Sequence, residues 1–321
     1  MKKKLLLITT TFLLSIVFLL VGMELIARML VKNNYAFDEI NIVYRYDKEL
    51  GWFPIENTTK EYQGTRLIHV KSNKDGFRDV EHGSKKKKRI AFLGDSFVWG
   101  YDVEYGERFT EYLQERMPDW EIINMGVSGY STDQELILIK KWFDHFQPDI
   151  VFLVFCDNDL LGNRTNKMYN YYKSYFSFTG DKLVEHGAPT EKSIRYFINE
   201  YPILMRSRLV QYIVEMTRPK PVFVKDPVIP LIQEIKTFVE SKGARFYLAF
   251  TDDDGKAENR ELCKLNNIPY VMLTNKFRYS KNGYHWTPEG HEFVSNKIYE
   301  FLSRQDTLSN LFQTHRAMAG N

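Results

Sequence analysis

The feature that most constrains this chain is an alternation that begins at Arg89. Five short apolar runs, Arg89–Leu93, Glu121–Asn124, Ile150–Phe155, Arg245–Phe250 and Pro269–Leu273, are separated by stretches with helical periodicity. A strand inside a parallel sheet is covered on both faces, so it reads as a continuous apolar run. Helices are expected near Arg108–Met117, from Ser131, near Leu231–Ser241, near Lys256–Leu265 and from Thr287. Ser131-Thr132-Asp133-Gln134 has the form of a capping box. Leu136, Ile139, Trp142, Phe143 and Phe146 then recur down one helical face until Pro148 ends the element. Pro288 suits the first turn of the last helix, whose apolar face is Val294, Ile298, Phe301 and Leu302. This pattern predicts an α/β fold, a three-layer αβα sandwich around a mainly parallel sheet.

In such sheets ligands bind beyond the carboxyl ends of the strands. Four polar motifs fall at those places: Gly94-Asp95-Ser96-Phe97, Asn124-Met125-Gly126-Val127-Ser128-Gly129-Tyr130, Cys156-Asp157-Asn158-Asp159 and Tyr284-His285-Trp286-Thr287. Their chemistry is complementary. A serine hydroxyl is a weak nucleophile until a base takes its proton, and the pKa of histidine suits that task. A tetrahedral intermediate needs donors aimed at its oxyanion, and both a backbone N–H at a glycine turn and an asparagine amide supply them. Ser96, His285, Gly129 and Asn158 are therefore the candidate site residues. Asp95 reads as a turn former, and His291 as a structural residue on the final helix. Ser128 is a poor nucleophile candidate, because its surroundings lack the second glycine of a G-x-S-x-G elbow in place.

The rest of the chain frames this core. Lys2, Lys3 and Lys4 precede an apolar stretch from Leu5 to Met23, about the ~20 residues that a membrane-spanning helix needs. No small-x-small cleavage site follows, so the expectation is an uncleaved signal anchor, with a cleaved signal peptide as the alternative. The lysines place its start in the cytoplasm and the catalytic region outside the cytoplasmic membrane, periplasmic or otherwise extracytoplasmic; Arg28 and Lys32 reduce that asymmetry. The expected organisation is an anchor over 1–30, an irregular segment over 31–88, the α/β domain over 89–304 and a tail over 305–321. Short strands are expected near Glu61–Tyr62 and Arg66–Lys71, then a turn at Asn73–Gly76. Residues 160–227 interrupt the alternation and are rich in aromatics, among them Tyr169, Tyr171, Tyr172, Tyr175, Phe176 and Phe178. They read either as a lid or sugar-stacking surface, or as a subdomain packing its own rings.

The formal net charge is only +3, and no basic stripe interleaved with aromatics exists, which argues against nucleic acid as a partner. Lys85–Arg89 reads as a solvated run. Cys156 and Cys263 have neither metal-ligand spacing nor a CxxC motif. Cys156 reads as a buried thiol, and a disulfide between the two stays open. Neither a phosphate loop nor a metal cluster is visible, so no cofactor and no metal are expected.

The four motifs, in this order and on these elements, resemble the SGNH hydrolases, which include the GDSL esterases and lipases. The resemblance covers about residues 89–160 and 243–303. It implies an SGNH or flavodoxin-like sandwich, Ser96 as nucleophile and His285 as base. It also implies an oxyanion hole from the Ser96 and Gly129 amides and the Asn158 side chain. Leu50-Gly51-Trp52 and Asn73-Lys74-Asp75-Gly76-Phe77-Arg78-Asp79 are similar to segments of membrane-anchored bacterial members. Two positions depart from the family pattern: Cys156 replaces a glycine, and Asn282 and Gly283 stand where an Asp usually orients the histidine. Asn282 is the candidate for that orienting role, and the carboxylates of Asp157, Asp159 and Glu289 are the alternatives to it. The implied activity is serine ester hydrolysis on an O-acyl, such as acetyl, ester of a glycan or lipid. The alternatives are an O-acyltransferase modifying a cell-surface glycan and a non-catalytic glycan-binding homologue.

Overall fold

A computed structural model of the chain describes residues 2–30, 43–169, 171–180, 182–252, 268–281 and 283–305. The expected helix at Lys256–Leu265, Cys263, Asn282 and nearly all of the tail lie outside the described residues. In chain order the elements begin with α1 (Lys2–Leu30), β1 (Tyr44–Asp47), β2 (Gly51–Pro54), β3 (Thr59–Gln63) and β4 (Leu67–Lys71). The core follows with β5 (Lys88–Gly94), α2 (Ser96–Trp99), α3 (Phe109–Arg116), β6 (Trp120–Asn124), α4 (Thr132–Phe146) and β7 (Ile150–Phe155). The inserted region holds α5 (Asn158–Gly162), β8 (Lys167–Met168), β9 (Tyr171–Tyr172), β10 (Tyr175–Thr179), β11 (Lys182–His186), α6 (Ile194–Glu200) and α7 (Arg208–Met216). The chain closes with α8 (Val228–Ser241), β12 (Arg245–Phe250), β13 (Tyr270–Met272) and α9 (Pro288–Ser303).

The central sheet has five strands in the order β13-β12-β7-β5-β6, and every pairing in it is parallel. All six residues of β7 are buried, as are the last six of β5, which is why these strands read as unbroken apolar runs. Phe92 stacks on Phe152 across β5 and β7, with Phe109 of α3 edge-on to Phe92. The order makes the gap between β5 and β7 a topological switch point, because the connections leave these two strands in opposite directions. In open α/β sheets ligands bind at such a point, beyond the carboxyl ends of the strands.

Two local expectations need revision. Ser131 precedes α4, but its side chain makes no capping bond. The Gln134 backbone N–H is instead taken by the Asp133 side chain at 2.8 Å, and the Gln134 amide reaches away to donate to the Leu50 carbonyl at 2.7 Å. The segment before residue 88 also holds a strand pair that was not expected: β1 and β2 are antiparallel. β3 and β4, another antiparallel pair, fall at the two strands that were. The α4 stripe packs as read, with Leu136, Ile139, Phe143 and Phe146 buried, while Trp142 stacks on Phe53.

The chain comprises two compact units. The smaller contains α1, β9, α6 and α7; the larger contains the central sheet, its helices and Ser96, Gly129, Asn158 and His285. In the smaller unit Ile194, Ile198 and Met205 form a core, with Phe197, Val210 and Val214 packed against it.

Candidate active site

The site begins where β5 ends. A side chain at Gly94 would meet the Val98 methyl at 2.3 Å and Val154 of β7 at 3.3 Å, so the turn into α2 closes only without a Cβ. Asp95 caps α2: its Oδ1 accepts from the Phe97 backbone N–H at 2.9 Å. This is the turn-forming role expected of it. Ser96 opens the helix and is 7% exposed.

His285 arrives from the other end of the domain, in the loop before α9. Its Nε2 lies 2.7 Å from Ser96 Oγ. With Nε2 unprotonated, the hydroxyl donates and Nε2 accepts. The imidazole stacks on Tyr101 with ring centroids 4.4 Å apart and rests against Phe97. Trp286, next in the chain, is fully buried against Phe97 and Phe109 and anchors the loop. His291 sits on α9, entirely buried and stacked on Phe109. Its Nδ1 accepts from the Phe109 backbone N–H at 3.2 Å, and burial pushes its pKa well below the usual histidine range. It is a neutral structural residue.

Asn158, first in α5 beyond β7, also reaches this point. Its Nδ2 donates to Asp95 Oδ2 at 2.9 Å, while Ser96 Oγ lies 3.4 Å from the same oxygen. Asp95 thus holds the helix turn with one oxygen and the asparagine amide with the other. Gly129 has φ +84°, a left-handed conformation that costs any other residue about 1–2 kcal/mol. A Cβ there would lie 3.1 Å from the Tyr169 ring; burial raises the Tyr169 pKa, and the adjacent Asn158 side chain opposes that rise. Tyr169 therefore spans two of the candidate oxyanion groups. It belongs to the aromatic-rich insertion, and no sequence signal distinguished it from its neighbours there. Its own φ of +48° is unusual for a tyrosine.

The two upstream segments brace this geometry. Trp52 Nε1 donates to the Ser128 carbonyl at 3.2 Å. Tyr130 donates its hydroxyl to the Trp52 carbonyl at 2.5 Å, and the two rings meet edge-on. The Gly129 turn is thereby held from both sides. Arg78 is buried, and its guanidinium donates to the carbonyls of Trp99, Gly100 and Val103 at 3.2, 2.6 and 2.8 Å. It fixes the end of α2 from behind Ser96. Burial, with Arg108 alongside, lowers its pKa to about 9. Asn124 completes the bracing, donating to the Val98 carbonyl at 2.7 Å and accepting from Gly126 N–H at 3.0 Å.

The floor of the site is acidic. Asp95, Asp133, Glu135 and Asp159 are all buried. Asp133 pairs with Lys173, itself buried. Burial raises the pKa of all four carboxyls; for Glu135 and Asp159 neighbouring carboxylates push them further, well above the usual range. Asp159 Oδ2 accepts from the Cys156 N–H at 3.1 Å, so Asp159 belongs to this floor, whereas Glu289 is exposed. Cys156 is a buried free thiol whose pKa is pushed up by burial. Among the described residues no group of His, Cys, Asp and Glu has the arrangement of a metal site.

Fold and motif order together define the class, an α/β enzyme of the esterase and acylhydrolase kind. Residues 92–293 match the model of the GDSL-like lipase/acylhydrolase family, and the chain belongs to that family. Among solved structures it is similar to a family 3 carbohydrate esterase from Clostridium thermocellum, at 15% identity over 70% of this chain and 99% of that one, with a TM-score of 0.40. It is also similar to the esterase EstA from Pseudoalteromonas sp. at 11% identity, covering 68% of this chain and 98% of that one, with a TM-score of 0.42. A putative lipolytic G-D-S-L protein from Desulfitobacterium hafniense is 14% identical over 67% of this chain and 100% of that one, with a TM-score of 0.38. No curated protein sequence matches the chain.

Proposed function

We propose that Ser96 and His285 carry out ester hydrolysis through an acyl-enzyme. The observation that carries this reading is the 2.7 Å separation of Ser96 Oγ and His285 Nε2 at the switch point of the sheet. Ser96 Oγ attacks the ester carbonyl while Nε2 takes its proton. The tetrahedral oxyanion is met by the Ser96 and Gly129 N–H groups and by the Asn158 amide. His285 then passes the proton to the departing alkoxide, leaving Ser96 acylated and the alcohol free. Water attacks the acyl-enzyme with the same base, and Ser96 recovers its proton as the carboxylic acid leaves.

The substrate in this reading is an O-acyl ester, such as an acetyl ester, of a glycan or lipid. The site works outside the cytoplasmic membrane, to which α1 anchors the chain. Support for the anchor is the composition of α1, the one described helix long and apolar enough to cross a membrane. The test is labelling of the full chain with a fluorophosphonate, read by intact mass in wild type and in Ser96→Ala. A single adduct that is absent from the variant is expected. A folded wild type that takes no adduct would overturn the proposal.

A further inference from the structure

Glu24 is the first charged residue after the apolar stretch of α1. The 19 residues from Leu5 to Met23 rise about 28 Å at ~1.5 Å each, close to the ~30 Å hydrocarbon thickness of a bilayer. If α1 spans the membrane, as the proposed function has it, Glu24 marks the level where hydrocarbon gives way to headgroups. The smaller unit is fastened at that level. Glu24 accepts from the Ser207 hydroxyl at 2.6 Å and from the Arg208 and Leu209 backbone N–H groups, both at 3.1 Å. One helical turn further on, Arg28 pairs with Glu24 at 2.7 Å and donates to the Arg206 carbonyl at 3.2 Å. The start of α7 is therefore tied to the end of the apolar span by four polar contacts, with the Arg28–Glu24 pair bracing the two tying side chains within α1.

What this tie holds there is apolar and uncovered. Val210 and Val214 of α7 face the small core formed with α6. Tyr212, Ile213 and Met216 point away from it and are exposed, as are Tyr201, Ile203 and Leu204 just before the helix. Ile203 is 82% and Met216 68% exposed. In a water-facing subdomain, aliphatic side chains clustered in this way would carry a standing penalty. At the headgroup boundary they would not. A helix with one apolar face, flanked by tyrosines and by Arg206, has the make-up of an element lying in the membrane interface.

We propose that residues 201–216 form an interfacial foot, with the exposed face of α7 and the Ile203–Leu204 turn sunk into the outer headgroup and upper acyl region of the bilayer that α1 crosses. The occupant of the face is lipid. The proposal rests on α1 spanning the membrane, and it adds a second, laterally displaced contact to that single anchor.

The test uses the full chain in vesicles of phosphatidylethanolamine and phosphatidylglycerol. Nitroxide labels are placed singly by Ile203→Cys, Ile213→Cys and Met216→Cys, with Cys263→Ser as background and the buried Cys156 left in place. Phe12→Cys reports α1, and Leu161→Cys, exposed in the larger unit, reports water. Collision with molecular oxygen is compared with collision with a water-soluble nickel chelate. Labels at 203, 213 and 216 are expected to favour oxygen several-fold over the label at 161. Nickel accessibility equal to that at 161, with the label at 12 in lipid, would overturn the foot and leave the anchor standing. A label at 12 that reads as aqueous would overturn the anchor and the foot with it. Labels at 203, 213 and 216 shielded from both reagents would mean that protein covers the face, which also overturns the proposal.

Discussion

Asp95→Asn separates the chemistry of this site from its stability. Asp95 Oδ1 caps α2 and Oδ2 receives Asn158 Nδ2 at 2.9 Å. An asparagine at 95 keeps one carbonyl oxygen, which suffices for the cap, and turns an NH₂ toward the NH₂ of Asn158. Two donors cannot share that position, so Asn158 swings away or turns over, and its N–H no longer faces the oxyanion. The bond lost is one to a charged acceptor, worth about 1.5–3 kcal/mol, or roughly 10- to 150-fold in rate at ~1.4 kcal/mol per tenfold. The ceiling is the loss of the donor itself, about 100- to 1000-fold, as expected for Asn158→Ala. Stability should not follow. Burial already works against the ionised Asp95, and the neutral amide removes that cost. The expected result is kcat on p-nitrophenyl acetate reduced about 10- to 100-fold, with KM little changed and Tm unchanged or higher. The double variant with Asn158→Ala should be no slower than Asn158→Ala alone, because the two act through one amide. Wild-type turnover in Asp95→Asn, or losses that multiply in the double variant, would refute the reasoning.

Ser96→Ala and His285→Ala should each abolish turnover, and the double variant should lose no more than either single one, since the pair acts as a unit; ester assays on purified variants decide it. Tyr169→Ala opens the space over Gly129, so selectivity across p-nitrophenyl esters of increasing chain length should shift toward longer acyl groups, by up to about fourfold per methylene at ~0.8 kcal/mol each. Glu135→Gln should change the pH dependence of stability. The Glu135 carboxyl is raised by burial above its ordinary 4.5, so its contribution is full below that value and is lost as pH rises through the folded-state pKa. Tm curves of wild type and variant should therefore converge near pH 4 and separate as pH rises, with the variant the more stable; parallel curves would show that Glu135 does not titrate on unfolding.

The central sheet was legible because each of its strands is a local apolar run whose burial on both faces leaves a mark of its own. β7 and β12 coincide with the runs Ile150–Phe155 and Arg245–Phe250. Ser96 and His285 were legible together because strand ends and polar motifs coincide, although 189 positions separate the two residues. What was hidden depends on partners far away in the chain. Nothing near Trp52 announces that its indole supports Ser128, and nothing near Lys173 announces the buried Asp133. Ser131 looked like a helix cap because the motif is defined by spacing alone. In the fold, Gln134 is drawn off to Leu50 and Asp133 takes its N–H. Tyr169 gained its place through the backbone conformation of one residue, which a composition of many tyrosines does not reveal.

The Arg78 clamp has a consequence for where this enzyme can be cut. The family match starts at residue 92, yet the guanidinium that gathers the carbonyls of Trp99, Gly100 and Val103 comes from before it. A chain trimmed to begin at residue 89 would retain Ser96 and His285 while handing those three carbonyls to water. It would also lose the indole that steadies Ser128. Homology thus delimits the part that relatives share, while the smallest piece able to inherit a rigid Ser96 turn begins some forty residues earlier, at β1.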